Sequence, residues 1–203
     1  MNIQPIFPCF LGTEQIKDLV DLKAIEDFCY TEERLDTKQK WLGGWQSTRP
    51  FLNDPIMLPL INIIKDRLIG ISRMYGLSDQ AHPTLKNGWI NINNPGNYSL
   101  HNNPPHIHAN YFVSVVFYVK AEPKSGDLVL IAPSNTIEHT VPFSAIDHRT
   151  VYNSPRWHIA PEPGNLVMFP SWVMHYVEGN VTQNDRISIA FNTVLPTIEH
   201  PDY

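Results

Sequence analysis

Trp89-Ile90-Asn91-Ile92-Asn93 alternates apolar and polar side chains, and with it the hydrophobic period of the chain changes from about 3.6 residues to two. Successive residues of a strand point to opposite faces, so such a stretch has one face for a core and one for polar work. A β-branched and aromatic run follows at 111–119, then short strand-like segments at 127–131, 157–159, 166–169, 173–177 and 186–194. Turn signals separate them: Asn94-Pro95-Gly96-Asn97, Pro123-Lys124-Ser125-Gly126, Pro161-Glu162-Pro163-Gly164 and Glu178-Gly179-Asn180. Many short strands with Gly/Pro turns and no helices between them predict a mainly β fold, a jelly roll or other small barrel.

Upstream of Trp89 the pattern is helical. Thr13 is placed to cap a helix through Ile16, Leu19, Val20, Leu22, Ala24, Ile25 and Phe28. A second helix is expected from Asp54 as N-cap, with Pro55 at its first position and Gly76 as its stop. Met57, Leu60, Ile61, Ile64, Leu68, Ile71 and Tyr75 line one side of it, and Pro59 can delay its start by a few residues. Residues 40–50, with Trp41, Gly43, Gly44, Trp45 and Pro50, read as a loop that covers something. The chain thus predicts one domain over 1–203, with a helical N-terminal layer (1–80) on the outside of a jelly-roll core (85–197).

With 203 residues the chain is long enough to bury a sizeable core, and 42% apolar with 17% charged residues suits a soluble globular protein. A formal net charge of −5 gives no electrostatic footprint for strong nucleic-acid binding. Cys9 and Cys29 are too few for a disulfide framework and are expected as free thiols of a reducing compartment. The first residues lack a basic segment followed by an apolar core, and no window approaches the ~18 apolar residues of a membrane span. A cytoplasmic protein without membrane association is expected, and the helical layer leaves a homodimer open.

The chemistry sits in His106-Ile107-His108, a lone His175, and Arg186-Ile187-Ser188 on an alternating segment. In an extended chain, which Pro104-Pro105 favours, His106 and His108 point the same way. A barrel can add His175 from a distant strand. Imidazole suits iron, zinc, copper and nickel. Arg186 offers a guanidinium to a carboxylate, so a mononuclear metal beside an anionic co-substrate is one reading. The bland alternative is surface histidines at 106 and 108 and a hydrogen-bonded core histidine at 175, and a two-His signature alone does not decide between them. His101 could replace one of the pair and His158 could line the same cavity. His82, His139, His148 and His200 sit in polar contexts and read as solvent-exposed.

Three groups of residues then resemble a known family. They are Asn93-Asn94-Pro95-Gly96-Asn97-Tyr98, Pro105-His106-Ile107-His108 with Ser114-Val115-Val116-Phe117-Tyr118-Val119, and the closing block from Pro163-Gly164-Asn165-Leu166-Val167-Met168-Phe169-Pro170-Ser171-Trp172 through His175 to Arg186-Ile187-Ser188-Ile189-Ala190-Phe191-Asn192. The chain is similar to the small 2-oxoglutarate/Fe(II)-dependent oxygenases of bacteria, cyanobacteria and their phages, from about Gly44 to Asn192. The resemblance implies a double-stranded β-helix, the cupin-like jelly roll, with Fe(II) held by His106, His108 and His175. It also implies 2-oxoglutarate anchored by Arg186 and Ser188, with Tyr98 and Asn192 as weaker contacts whose alternative roles are a buried phenol and a strand-end amide.

Three departures stand out. The wider superfamily uses two His and one carboxylate, whereas here the second position is His108, a feature of the His-x-His subgroup. Ile131-Ala132-Pro133-Ser134 stands where relatives commonly place Asp-Pro-Arg, and the approach Ser99-Leu100-His101-Asn102-Asn103-Pro104-Pro105 is longer. The implied activity is hydroxylation of a small-molecule or peptide substrate by O2, with release of succinate and CO2. In it no side chain beyond the metal ligands is expected to be catalytic, and the stretches 41–47 and 133–155 are long enough for lids. Two other classes stay open: a three-His cupin-type dioxygenase without 2-oxoglutarate, and a non-catalytic jelly-roll binding module.

Overall fold

In the computed structural model the described residues are 1–2, 6, 8–36, 43–96, 102–134 and 141–196. They form two antiparallel sheets and two helices. The strands are β1 (Gly12–Gln15), β2 (Gly44–Gln46), β3 (Thr84–Asn93), β4 (Asn103–His106), β5 (Val113–Lys120), β6 (Leu128–Ile131), β7 (Arg156–Ile159), β8 (Asn165–Pro170), β9 (His175–Val177) and β10 (Arg186–Val194). The helices are α1 (Leu22–Leu35) and α2 (Leu58–Met74). The large sheet runs β1-β8-β5-β10-β3-β2 and the small sheet β4-β9-β6-β7. Two facing antiparallel sheets with helices on one outer face are the expected jelly roll.

The parity of β10 organises the molecule. Ile187, Ile189 and Phe191 enter a core with Ile25, Phe28 and Cys29 of α1 and Leu60, Ile61, Ile64 and Leu68 of α2. Arg186, Ser188, Ala190 and Asn192 alternate with them and line a cavity between the sheets. In β3, Ile90 and Ile92 join the helix-facing core, while Trp89, Asn91 and Asn93 face the cavity. The register aligns the polar positions, pairing Arg186 with Asn93 and Ser188 with Asn91. Between the sheets a smaller core of Tyr118, Leu128, Leu130, Ile159, Val167, Phe169 and Val173 closes the rest of the interior. Full burial of Leu60, Ile64 and Leu68 contributes about 1.5–3 kcal/mol each.

The N-terminal region differs from its sequence expectation. Thr13 does not cap a helix: it lies in β1, paired with Val167 of β8. The helix begins at Leu22, where the Asp21 carboxylate accepts from the Ala24 N–H. The apolar spacing across Ile16 and Leu19 mimicked a helical turn, but edge pairing to β8 and the better Asp21 cap decide the local structure. In α2, Pro59 lies in the first turn and the helix starts at Leu58, with Asp54 capping the preceding turn by accepting from the Ile56 N–H. The bidentate Arg67–Glu14 pair, 2.7 and 2.8 Å, ties α2 to β1.

Part of the covering loop is β2, paired along β3, with Trp45 buried in the helix-facing core. Gly44 is required there, because a Cβ would lie 1.9 Å from the Ile92 carbonyl oxygen. Cys9 is exposed and Cys29 buried, both free. Among the described residues no helix is long and apolar enough to cross a membrane.

Candidate metal centre

Pro104 and Pro105 have no backbone N–H to donate, so β4 pairs with β9 only at Asn103–Val177 and His106–His175. That irregular edge puts His106 directly across from His175. His108 follows two residues on, its N–H donating to the Ser171 carbonyl at 2.9 Å. One ligand-capable atom from each of His106, His108 and His175 lies within 4.8 Å of the other two. Ring centroids are 4.9 Å apart for His106–His108, 4.3 Å for His106–His175 and 5.1 Å for His108–His175.

Two rings are oriented by the backbone. His106 Nδ1 lies 2.7 Å from the Pro104 carbonyl and His175 Nδ1 2.9 Å from the Val173 carbonyl. A carbonyl only accepts, so each Nδ1 carries the proton and each Nε2 keeps its lone pair free for a metal. His108 Nδ1 instead lies 3.3 Å from the side-chain amide of Asn192. Burial, then the charge of His106, lowers His108 to about 4, and burial lowers His175 to about 3. Both are therefore deprotonated and ready to ligate at neutral pH. Three convergent imidazoles with soft-to-borderline nitrogen donors and an open cavity in front of them fit a mononuclear transition metal.

Arg186 faces the same cavity and is 2% exposed. Its Nε and Nη2 donate to Asn93 Oδ1 at 3.2 and 2.6 Å, and its Nη1 donates to the carbonyls of Gly126 at 2.6 Å and Ser125 at 3.3 Å. Every one of these acceptors is neutral. Burial lowers its pKa, opposed by Tyr118, Asp127 and Glu178, and a guanidinium stays charged regardless. Four of its five N–H groups are engaged, so among the described residues one on Nη2 remains for a ligand. Ser188 and Asn91 lie beside it on the cavity face, where Gln46 donates to Asn91 Oδ1 at 2.9 Å. Tyr118 lines the same cavity, its phenol raised to about 12 by burial.

Of the residues singled out in the sequence, the structure brings His106, His108, His175, Arg186, Ser188 and Asn192 to one cavity. Tyr98 and His101 lie outside the described residues, as do Trp41 and 135–140 of the two candidate lids. Asn192 contacts His108 and Ser114. His158 does not line the cavity; its Nδ1 sits 3.5 Å from Asp127 and 3.8 Å from Glu178. Sequence reasoning missed Asn91, Asn93 and Tyr118, although the polar positions of Trp89-Ile90-Asn91-Ile92-Asn93 carried a signal for the first two.

Residues 87–192, more than half of the chain, match the family described as "putative 2OG-Fe(II) oxygenase". The chain belongs to this family, whose cofactors are iron(II) and 2-oxoglutarate. Among solved structures it is similar to an oxidoreductase of the 2OG-Fe(II) oxygenase family from Burkholderia pseudomallei, at 19% identity over 77% of this chain and a TM-score of 0.47, and it spans 64% of that chain. It is also similar to SnoK, a non-heme alpha ketoglutarate dependent carbocyclase from nogalamycin biosynthesis, at 12% identity over 90% of this chain and 79% of that one, TM-score 0.63. A third is HygX from Streptomyces hygroscopicus, solved with nickel and 2-oxoglutarate bound, at 17% identity over 93% and 83%, TM-score 0.53. The similarities to SnoK and HygX carry the fold. No curated protein sequence matches the chain at a significant level.

Proposed function

We propose that the chain is an oxygenase that hydroxylates a C–H bond of its substrate, with iron(II) held by His106, His108 and His175. When bound, iron(II) and 2-oxoglutarate supply the oxidising chemistry: one oxygen atom of O2 goes to the substrate and the other to succinate as the keto acid loses CO2. The observation that carries this reading is Arg186, a fully buried guanidinium held only by neutral oxygens in the same cavity as the three histidines. A buried charge without a direct counter-ion costs several kcal/mol, and a ligand carboxylate offsets that cost.

Arg186 would bind the far carboxylate of 2-oxoglutarate through one Nη2–H and its charge, and Ser188 Oγ would add a hydrogen bond. Asn192 is better placed to orient His108 than to touch the co-substrate. The apolar walls Val116, Leu128 and Phe169 exclude water from the carboxylate–guanidinium pair, which strengthens it. A three-His cupin enzyme without a keto acid would have no use for the buried Arg186 charge.

The test is an anaerobic titration of Fe(II)-loaded protein with 2-oxoglutarate, followed by visible absorption. A weak charge-transfer band is expected, lost in His175→Ala with the metal. Folded, iron-loaded protein without the band would refute the reading. Succinate release screened against candidate small molecules and peptides identifies the substrate.

A further inference from the structure

We propose that Asn192 is a positioning residue for His108 as a metal ligand: its side-chain oxygen accepts the Nδ1–H of His108, which forces the lone pair onto Nε2. This inference rests on the three-histidine reading of the site and extends it.

His106 and His175 need no such device, because backbone carbonyls of Pro104 and Val173 set their tautomers. His108 has no carbonyl at its Nδ1 among the described residues; Asn192 stands there. In one orientation of the amide, Asn192 Nδ2 faces His108 at 3.3 Å and Asn192 Oδ1 faces Ser114 Oγ at 3.2 Å. With that orientation His108 Nδ1 accepts, the proton of the neutral ring sits on Nε2, and Nε2 has no lone pair for a metal. A half-turn of the amide exchanges its oxygen and nitrogen without moving any other atom, and only hydrogen-bond logic decides between the two.

The neighbours permit the exchange. Ser114 Oγ is 2.9 Å from Ser171 Oγ, and either hydroxyl can donate. Ser114 can therefore accept from Asn192 Nδ2 and donate to Ser171. All three partners are buried: Ser114, Ser171 and Asn192 are 3%, 0% and 2% exposed. Ser171 also accepts the His108 backbone N–H through its carbonyl, so one network fixes both the backbone and the ring of that ligand. A carboxylate at position 108 would need no tautomer setting. The amide at 192 is the complement of an imidazole at 108.

The experiment measures Co(II) affinity by d–d absorption in the full-length protein, together with the thermal midpoint of the metal-free form, for wild type, Asn192→Leu and Asn192→Asp. The leucine variant should bind Co(II) roughly 10–100-fold more weakly, the loss typical of a ligand's hydrogen-bond partner. The aspartate variant, an acceptor only, should bind at least as tightly as wild type. A leucine variant that binds normally, or an aspartate variant as weak as the leucine one, would overturn the proposal. Should either variant fail to fold, 15N-correlated NMR of wild-type protein loaded with Zn(II) decides: a protonated Nδ1 on His108 is expected, and a protonated Nε2 refutes it. Failure of wild type itself to bind Co(II), or its binding unchanged in His175→Ala, would strike the three-histidine reading instead.

Discussion

Replacing Asn93 with aspartate tests whether the charge of Arg186 is held in reserve for a ligand. The substitution keeps the acceptor that takes Nε–H at 3.2 Å and Nη2–H at 2.6 Å, and adds one negative charge there. A ligand carboxylate on the remaining Nη2–H would lie about 5 Å from the new carboxylate, because two hydrogen bonds of about 2.9 Å meet at Nη2 at roughly 120°. At an effective dielectric of about 20 that repulsion costs about 3 kcal/mol, roughly 100-fold in Kd. Titration of the anaerobic Fe(II) form with 2-oxoglutarate measures it, with Fe(II) affinity as the control that should stay within about twofold. The same change pairs a buried cation, so the thermal midpoint should rise. Weaker binding in a more stable protein excludes misfolding as the cause. Unchanged 2-oxoglutarate affinity in Asn93→Asp would show that the ligand does not read the charge of Arg186.

Further outcomes follow from packing and charge. Gly44→Ala would force a Cβ into the Ile92 carbonyl and should detach β2 from β3, seen as a red shift of tryptophan emission as Trp45 is uncovered and a loss of about 1–3 kcal/mol in urea melts. Phe191→Ala would leave a cavity between β10 and Phe51, costing about 3–5 kcal/mol. For Glu14, the hydrogen bond from Arg67 lowers the carboxyl pKa in the folded protein. Its stabilising effect is therefore complete above the unfolded value and is lost as pH falls through the lower folded value. The difference in thermal midpoint between wild type and Glu14→Gln should shrink as pH drops below about 4, from a small value because the pair is partly exposed. Co(II) should raise the thermal midpoint of wild type and not of His175→Ala, with chelation reversing the gain.

The strands of the second half were legible because alternation survives burial on both faces. The segment 186–194 is β10 to the residue, and 165–170 frames the expected 166–169. Thr13 misled because a short edge strand has too few residues to show a period, and its partner, β8, comes more than a hundred positions later. In the site, the histidines and Arg186 stood out by residue type. Their supports did not: Asn93 meets Arg186 across 93 positions, Gly126 across 60, and Asn192 meets His108 across 84. Backbone carbonyls, which hold two of the three rings and half of the guanidinium contacts, leave no trace in residue identity.

The alternation along β10 also makes the protein intolerant of changes in length there. A single insertion or deletion in the turn before Arg186 that slipped the strand by one residue would exchange its faces. Arg186, Ser188 and Asn192 would be driven under the helices, and Ile187, Ile189 and Phe191 into the cavity. Folding and ligand chemistry would fail together rather than by degrees. Divergence within this strand is therefore open to substitution on the cavity face, where new specificity can arise, and closed to indels that would shift its register.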